Sequence, residues 1–162
     1  MIREATTQDL PEILAIYNHA IVHTTAVYTY DETTLEERQH WFVDKVLAGI
    51  PVYVDVRDSK VVGFATYGSF RNWPAYQYTV EHSIYVHPDY QRQGIASRLL
   101  TQIEETLKAR GYQTVVAGID AANKGSIALH ERHGFKHVGT MKKVGFKFDQ
   151  WLDLAFYQKQ LK

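Results

Sequence analysis

The chain has 162 residues, no cysteine, and 18 basic against 18 acidic side chains, so its formal charge is zero. One domain of that length buries a core without staples, and the lack of cysteine excludes a disulfide framework, a thiolate metal site and a cysteine nucleophile. Neutrality argues against a general nucleic-acid or membrane-surface binder, although a local basic patch still suits one small polyanion.

Met1 to Thr6 is not an apolar run, and no stretch approaches the length of a membrane span. The expectation is therefore a soluble cytoplasmic protein without signal peptide or transmembrane helix. Ile2 to Ala5 reads as a short strand and Thr7 as a helix cap; Leu10, Ile13, Leu14, Ile16 and Tyr17 then share one helical face running to about Val22. His23 to Thr33 alternates polar and aromatic residues without a helical signal and reads as a covering loop. Thr34 with Glu37 forms a capping box for a helix carrying Leu35, Trp41, Phe42, Val46 and Leu47, stopped at Gly49. A hairpin follows, Val52 to Val56 and Val61 to Phe70 around Asp58-Ser59. Arg71-Asn72-Trp73-Pro74 breaks it, and Gln77 to Val86 is the next strand.

From Ile95 the period changes: Leu99, Leu100 and Ile103 recur at helical spacing up to Gly111. Thr114 to Ile119 is a buried strand, Asn123 opens a short helix ending at His133-Gly134, and strands around Phe135 to Met141 and Trp151 to Leu161 finish the chain. The order β-α-α-β-β-β-α-β-α-β-β implies an α/β fold with a mixed, mostly antiparallel central sheet flanked by helices. The junction of Val80–Val86 with the helix at Ile95, through a turn containing Gly94, presents free N–H groups and the positive end of a helix dipole, which suits a phosphate.

The strand end I-Y-V, then H-P-D-Y, then Gln91-Arg92-Gln93-Gly94-Ile95-Ala96, resembles the Q/R-x-x-G-x-G/A acetyl-CoA motif of the GCN5-related N-acetyltransferase (GNAT) superfamily. Asn123-x-x-Ser126-x-x-Leu129-His130-Glu131-x-x-Gly134-Phe135 resembles that superfamily's second motif, with His130 where a tyrosine is common. I-Y-N-H-A-I at 16–21, T-V-E-H-S-I-Y-V at 79–86 and K-F-D-Q-W-L-D-L at 147–154 are similar to the phosphinothricin and methionine sulfone/sulfoximine N-acetyltransferase branch. The resemblance covers essentially the whole chain. It implies a single acyl-CoA N-acyltransferase domain over residues 1–162, acetyl-CoA as co-substrate, a small amino acid or analogue acetylated on its α-amino group, and a homodimer.

On that reading the backbone from Arg92 through Gln93, Gly94, Ile95 and Ala96 to Ser97 caps the pyrophosphate. Arg92 and Arg98 add charge there, although either reads equally as a solvated helix arginine, which is the better reading for Arg98. Ile84, Tyr85 and Val86 offer strand N–H groups to the pantetheine arm and the thioester oxygen, and Asn123 and Ser126 touch the arm or cap their helix. Glu81 shares a strand face with Ser83 and Tyr85 and suits removal of the amine proton, because an α-amino group of pKa about 8 needs only a modest base. His130 reads either as the acid for the departing thiolate or as a packed helix histidine. Arg71 suits the acceptor carboxylate, with Asn72 and Trp73 lining the pocket and Tyr28 and Tyr30 closing it. Tyr76 and Tyr78 read as core or dimer-contact aromatics. No serine is placed to carry an acyl group, and His130-x-x-His133 is not a metal-ligand spacing, so no metal is expected. Other acceptors (a protein N-terminus, a polyamine, an antibiotic) and a non-catalytic acetyl-CoA sensor remain open. Glu81 and Arg71 favour an enzyme, since a sensor has no use for both.

Overall fold

A computed structural model describes all residues 1–162. Strand β1 (Ile2–Glu4) leads through a 3-10 turn at Thr7–Asp9 into helix α1 (Leu10–His23). The cap is Thr6 rather than Thr7: Asp9 reaches back to the Thr6 backbone N–H at 2.7 Å and also holds Arg3. Helix α2 (Leu35–Leu47) starts at the Thr34–Glu37 capping box, and Gly49 at φ 72° follows its end.

Strands β2 (Tyr53–Arg57), β3 (Lys60–Ser69) and β4 (Thr79–Val86) follow. β4 begins later than the sequence pattern predicts because Pro74–Tyr76 forms a 3-10 turn. Helix α3 (Ile95–Ala109), strand β5 (Thr114–Asp120), helix α4 (Lys124–Arg132) and strands β6 (Lys136–Lys147) and β7 (Gln150–Gln160) complete the chain. β6 runs beyond Met141 because register shifts let it bend and resume pairing with β7.

The strands lie in one seven-stranded sheet in the order β1-β2-β3-β4-β5-β7-β6. All neighbours are antiparallel except β4 and β5. The 3.6-residue period of α3 puts Ile95, Leu99, Leu100, Ile103 and Leu107 on one face, where they bury against Val62, Val80 and Val115. On the opposite side α1 and α2 bury Leu10, Ile13, Ile16 and Phe42 against Val54 and Phe64. Tyr76 and Tyr78 stay exposed, so neither is a core residue of this chain.

Candidate active site

β4 and β5 pair only at Thr79–Thr114, Val80–Val115 and Glu81–Val116. Beyond Glu81, β4 stays paired with β3 to Val86, while β5 stays paired with β7 to Asp120. Each strand is thus held on its outer side and unpaired on its inner side, and the sheet opens as a V. The cleft so formed has a volume of about 1320 Å³. Glu81 to Val86 form one side, Ala117 to Asp120 with α4 the other, and the start of α3 one end. Alternate N–H and C=O groups of a strand with one neighbour missing face the gap, ready to bond an extended ligand.

Gly94 caps α3 at φ 77° with no side-chain cap bond, following Arg92 at φ 59°. The left-handed glycine turns the strand-to-helix loop so that the first-turn N–H groups face the cleft, which Arg92, Gly94, Ile95, Ala96 and Ser97 line. Gln93 turns away, its side-chain oxygen taking a 2.8 Å hydrogen bond from Arg57. Arg98 stays exposed on the helix surface. It pairs at 2.6 Å with buried Asp55, which also holds the N-terminal amine at 3.0 Å. Burial works against the Asp55 charge, but the bonds from Arg98 and the amine outweigh it and hold the carboxyl below its usual range.

Glu81 is the last β4 residue paired with β5, and it lines the cleft where the V begins. Burial raises its pKa, and the charge of nearby Arg71 offsets part of the rise. Tyr85, on the same strand face, is pushed by burial up to about 12 and stays protonated.

Asn123 accepts a 3.1 Å bond from the Ser126 N–H, which caps α4, and both residues line the cleft. His130 is buried. Its Nδ1 lies 2.7 Å from the Ser126 carbonyl oxygen, so it carries the proton, and its Nε2 accepts from His82 Nε2 at 2.9 Å. Burial lowers the pKa of both imidazoles, that of His82 to about 3. With both ring nitrogens engaged inside the protein, the geometry favours the packed reading of His130.

Arg71, Asn72 and Trp73 do not line this cleft. They are exposed around a second pocket of about 260 Å³ shared with Tyr67, Tyr76 and Tyr112. Arg71 stacks on Phe70 at 4.4 Å and donates to its carbonyl at 3.0 Å. The far end of the cleft is made instead by the α1 face carrying Ile16, His19, Ala20 and His23, by Thr24 to Ala26, and by Phe148. The covering role read for His23 to Thr33 survives, but its anchor is remote. Lys147 donates to the carbonyls of Thr24 and Val27 at 2.7 Å each, and Asn18 exchanges bonds of 2.8 and 2.9 Å with the Thr33 backbone. Tyr28 lies against Gly145, where any Cβ would meet its ring at 2.8 Å. The Tyr30 hydroxyl donates to the Phe146 carbonyl. Both tyrosines fasten the loop to the β6–β7 hairpin rather than closing the cleft. His19 and His23 escaped the sequence reading, although their four-residue spacing beside Ala20 was a signal that they share a helix face.

An interrupted parallel pair that opens beside a glycine-capped helix, with a carboxylate at the fork, suits a long extended ligand that carries a phosphate group. Residues 11–135 match the family model described as acetyltransferase (GNAT) family. The L-methionine sulfoximine/L-methionine sulfone acetyltransferase of Pseudomonas aeruginosa is 42% identical over 161 residues, covering 99% of this chain and 94% of the relative. The phosphinothricin N-acetyltransferase of Streptomyces coelicolor is 34% identical over 163 residues, with 99% and 95% covered. Among solved structures, yncA of Salmonella typhimurium, determined with its cofactor acetyl-CoA, superposes with a TM-score of 0.97 at 40% identity, covering 100% of this chain and 94% of that one. The chain belongs to the GNAT acetyltransferase family and is an acetyl-CoA-dependent N-acetyltransferase. No group of three or more potential metal ligands is present, and no helix is long and apolar enough to cross a membrane.

Proposed function

We propose that this enzyme transfers the acetyl group of acetyl-CoA directly to the α-amino group of a small amino acid or analogue of the methionine sulfone, methionine sulfoximine or phosphinothricin type. The observation that carries the reading is the place of Glu81, a cleft carboxylate at the point where β4 parts from β5. A thioester lying in the V has its carbonyl beside the β4 backbone, and an amine entering from the α1 side meets Glu81. Glu81 accepts a proton from the ammonium group, directly or through one water. The amine attacks the carbonyl carbon, the N–H of Val86, which faces the gap while that of Tyr85 is taken by β3, donates to the developing oxyanion, and the C–S bond breaks as the attached nitrogen passes its second proton to the departing thiolate. Arg92 and the N–H groups from Gly94 to Ser97 hold the pyrophosphate, and Asn123 and Ser126 flank the pantetheine arm. The His82–His130 bond fixes α4 against β4, so His130 positions the cleft wall.

Arg71 supports carboxylate recognition through its charge near Glu81. Phe146, Phe148 and Trp151 are exposed on the β6–β7 hairpin, with Phe146 and Trp151 in edge contact at 5.0 Å. Such an aromatic surface suits a second copy of the chain, so the working form is a homodimer in the cytoplasm. Steady-state release of CoA with methionine sulfone, methionine sulfoximine, phosphinothricin, an alanine-terminated peptide and spermidine tests the reading. Turnover is expected with the amino-acid analogues, and turnover confined to the peptide or the polyamine would replace it. Arg71→Ala is expected to raise KM for carboxylated acceptors more than for amines without a carboxylate.

A further inference from the structure

Behind the cleft wall, on the α1–α2 side of β4, sits a cation that the reaction above does not use. Arg38 of α2 is 5% exposed. Its guanidinium lies 4.0 Å from the ring centre of Tyr17 and 4.4 Å from that of Trp41. Tyr17 in turn packs edge-on against Tyr85 with ring centres 5.3 Å apart, and Phe64 lies at 5.2 Å on the same ring. Tyr85 is part of the cleft wall. The charge is therefore one aromatic layer behind the cleft, near enough to act on the Tyr85 hydroxyl.

What Arg38 lacks is an anion. None of the chain's ion pairs includes it, and its Nε is sealed from solvent without a hydrogen-bond partner. The one carboxylate that favours its charge is the adjacent Glu37, after the phenols of Tyr17 and Tyr85. The two rings satisfy the faces of the guanidinium, but its N–H donors lie in the plane and point at the edges. A buried charge left unpaired is costly, and a protein that keeps one gains where an acceptor group arrives with the ligand.

We propose that Arg38, acting through Tyr85, is the specificity-determining element for the oxygen-bearing side-chain head of the acceptor. This rests on the amino-acid reading given above. A guanidinium offers donors only, so the Tyr85 hydroxyl cannot donate to it, and with the hydroxyl of Ser83, another cleft residue, donating to the phenol oxygen, the Tyr85 proton is left for the cleft. Sulfone and phosphinate oxygens accept hydrogen bonds and donate none, which matches a phenol donor backed by a positive charge. A thioether or a methyl group in the same place leaves that donor without a partner, and a site built around a polar head discriminates strongly against analogues that lack it.

The experiment measures kcat/KM for methionine sulfone, methionine and norleucine, which differ only at the head, together with the KM for acetyl-CoA. Wild type is expected to favour the sulfone. In Arg38→Met the sulfone-to-norleucine ratio is expected to fall about tenfold or more, with partial recovery in Arg38→Lys. Tyr85→Phe removes one hydroxyl and leaves the ring stack in place, so it tests the same ratio in a protein that retains its packing. The double variant is expected to lose little more than the worse single one. Equal losses for all three acceptors, or an unchanged ratio in both single variants, would assign Arg38 to packing alone and overturn the proposal. Wild type with no turnover on any of the three would remove the amino-acid reading, and this assignment with it.

Discussion

Of the residues that line the cleft, those between 81 and 97 and between 117 and 132 are proposed for the cofactor, and those between 16 and 26, with Phe148, for the acceptor. At the first end the binding groups are mostly backbone: the inner edge of β4, the N–H groups of α3 and the turn at Gly94. At the second they are mostly side chains, those of α1 and Phe148, brought from opposite ends of the chain beside a loop whose carbonyls Lys147 holds. A backbone site tolerates many side chains but depends on conformation, whereas a side-chain site keeps its conformation and changes its preference with each substitution. Related enzymes with one cofactor and different acceptors are what such a division allows.

The sharpest way to break this contrast is at Glu81, where the two ends meet. Glu81→Gln is expected to lower kcat about 100-fold or more while leaving acetyl-CoA binding intact, measured by initial rates and calorimetry. The base works only as the carboxylate, and burial raises its pKa. Wild-type activity should therefore decline as pH falls through that raised value, at a higher pH than for an exposed glutamate. In the glutamine variant this acidic limb should vanish.

A substitution confined to the cofactor end comes next. Gly94 stands at φ 77°, where a β-branched residue is strained. Gly94→Val is expected to raise the KM for acetyl-CoA about tenfold and to leave acceptor preference unchanged, as read by paired KM measurements. The smallest effect should belong to the acceptor end. Lys147→Met strands the Thr24 and Val27 carbonyls, and thermal unfolding should register a loss of about 1–3 kcal/mol. Acceptor KM should rise a few-fold with acetyl-CoA KM constant. A rise in both constants would join the two ends into one site.

The order of elements was legible because each carries its own local signal. The Thr34–Glu37 box, the α3 period and the glycine turn all act within a few residues. The turn proposed to hold the cofactor was legible for the same reason, since a strand, a turn and a helix in succession make it. The Arg98–Asp55 pair was not legible because Asp55 lies 43 residues away, and nothing local distinguishes a paired helix arginine from an unpaired one. Arg38 passed unnoticed: with glutamates before it and a glutamine after it, it looks like any surface helix arginine until tertiary packing seals it between two rings. The loop from His23 was read as a cover, but the lysine that holds it could not be found from the loop itself.

That lysine also sets a clock. Thr24 and Val27 wait for a partner 123 and 120 residues further along the chain. At about 5–20 residues per second of synthesis, the acceptor wall stays unanchored for roughly 6 to 25 s after its loop is made. The strand-turn-helix unit around Gly94 has no such wait. The opposite cleft wall waits longer still, because β5 is held on its outer side by residues 154–160 of β7, which follow Lys147 in the chain.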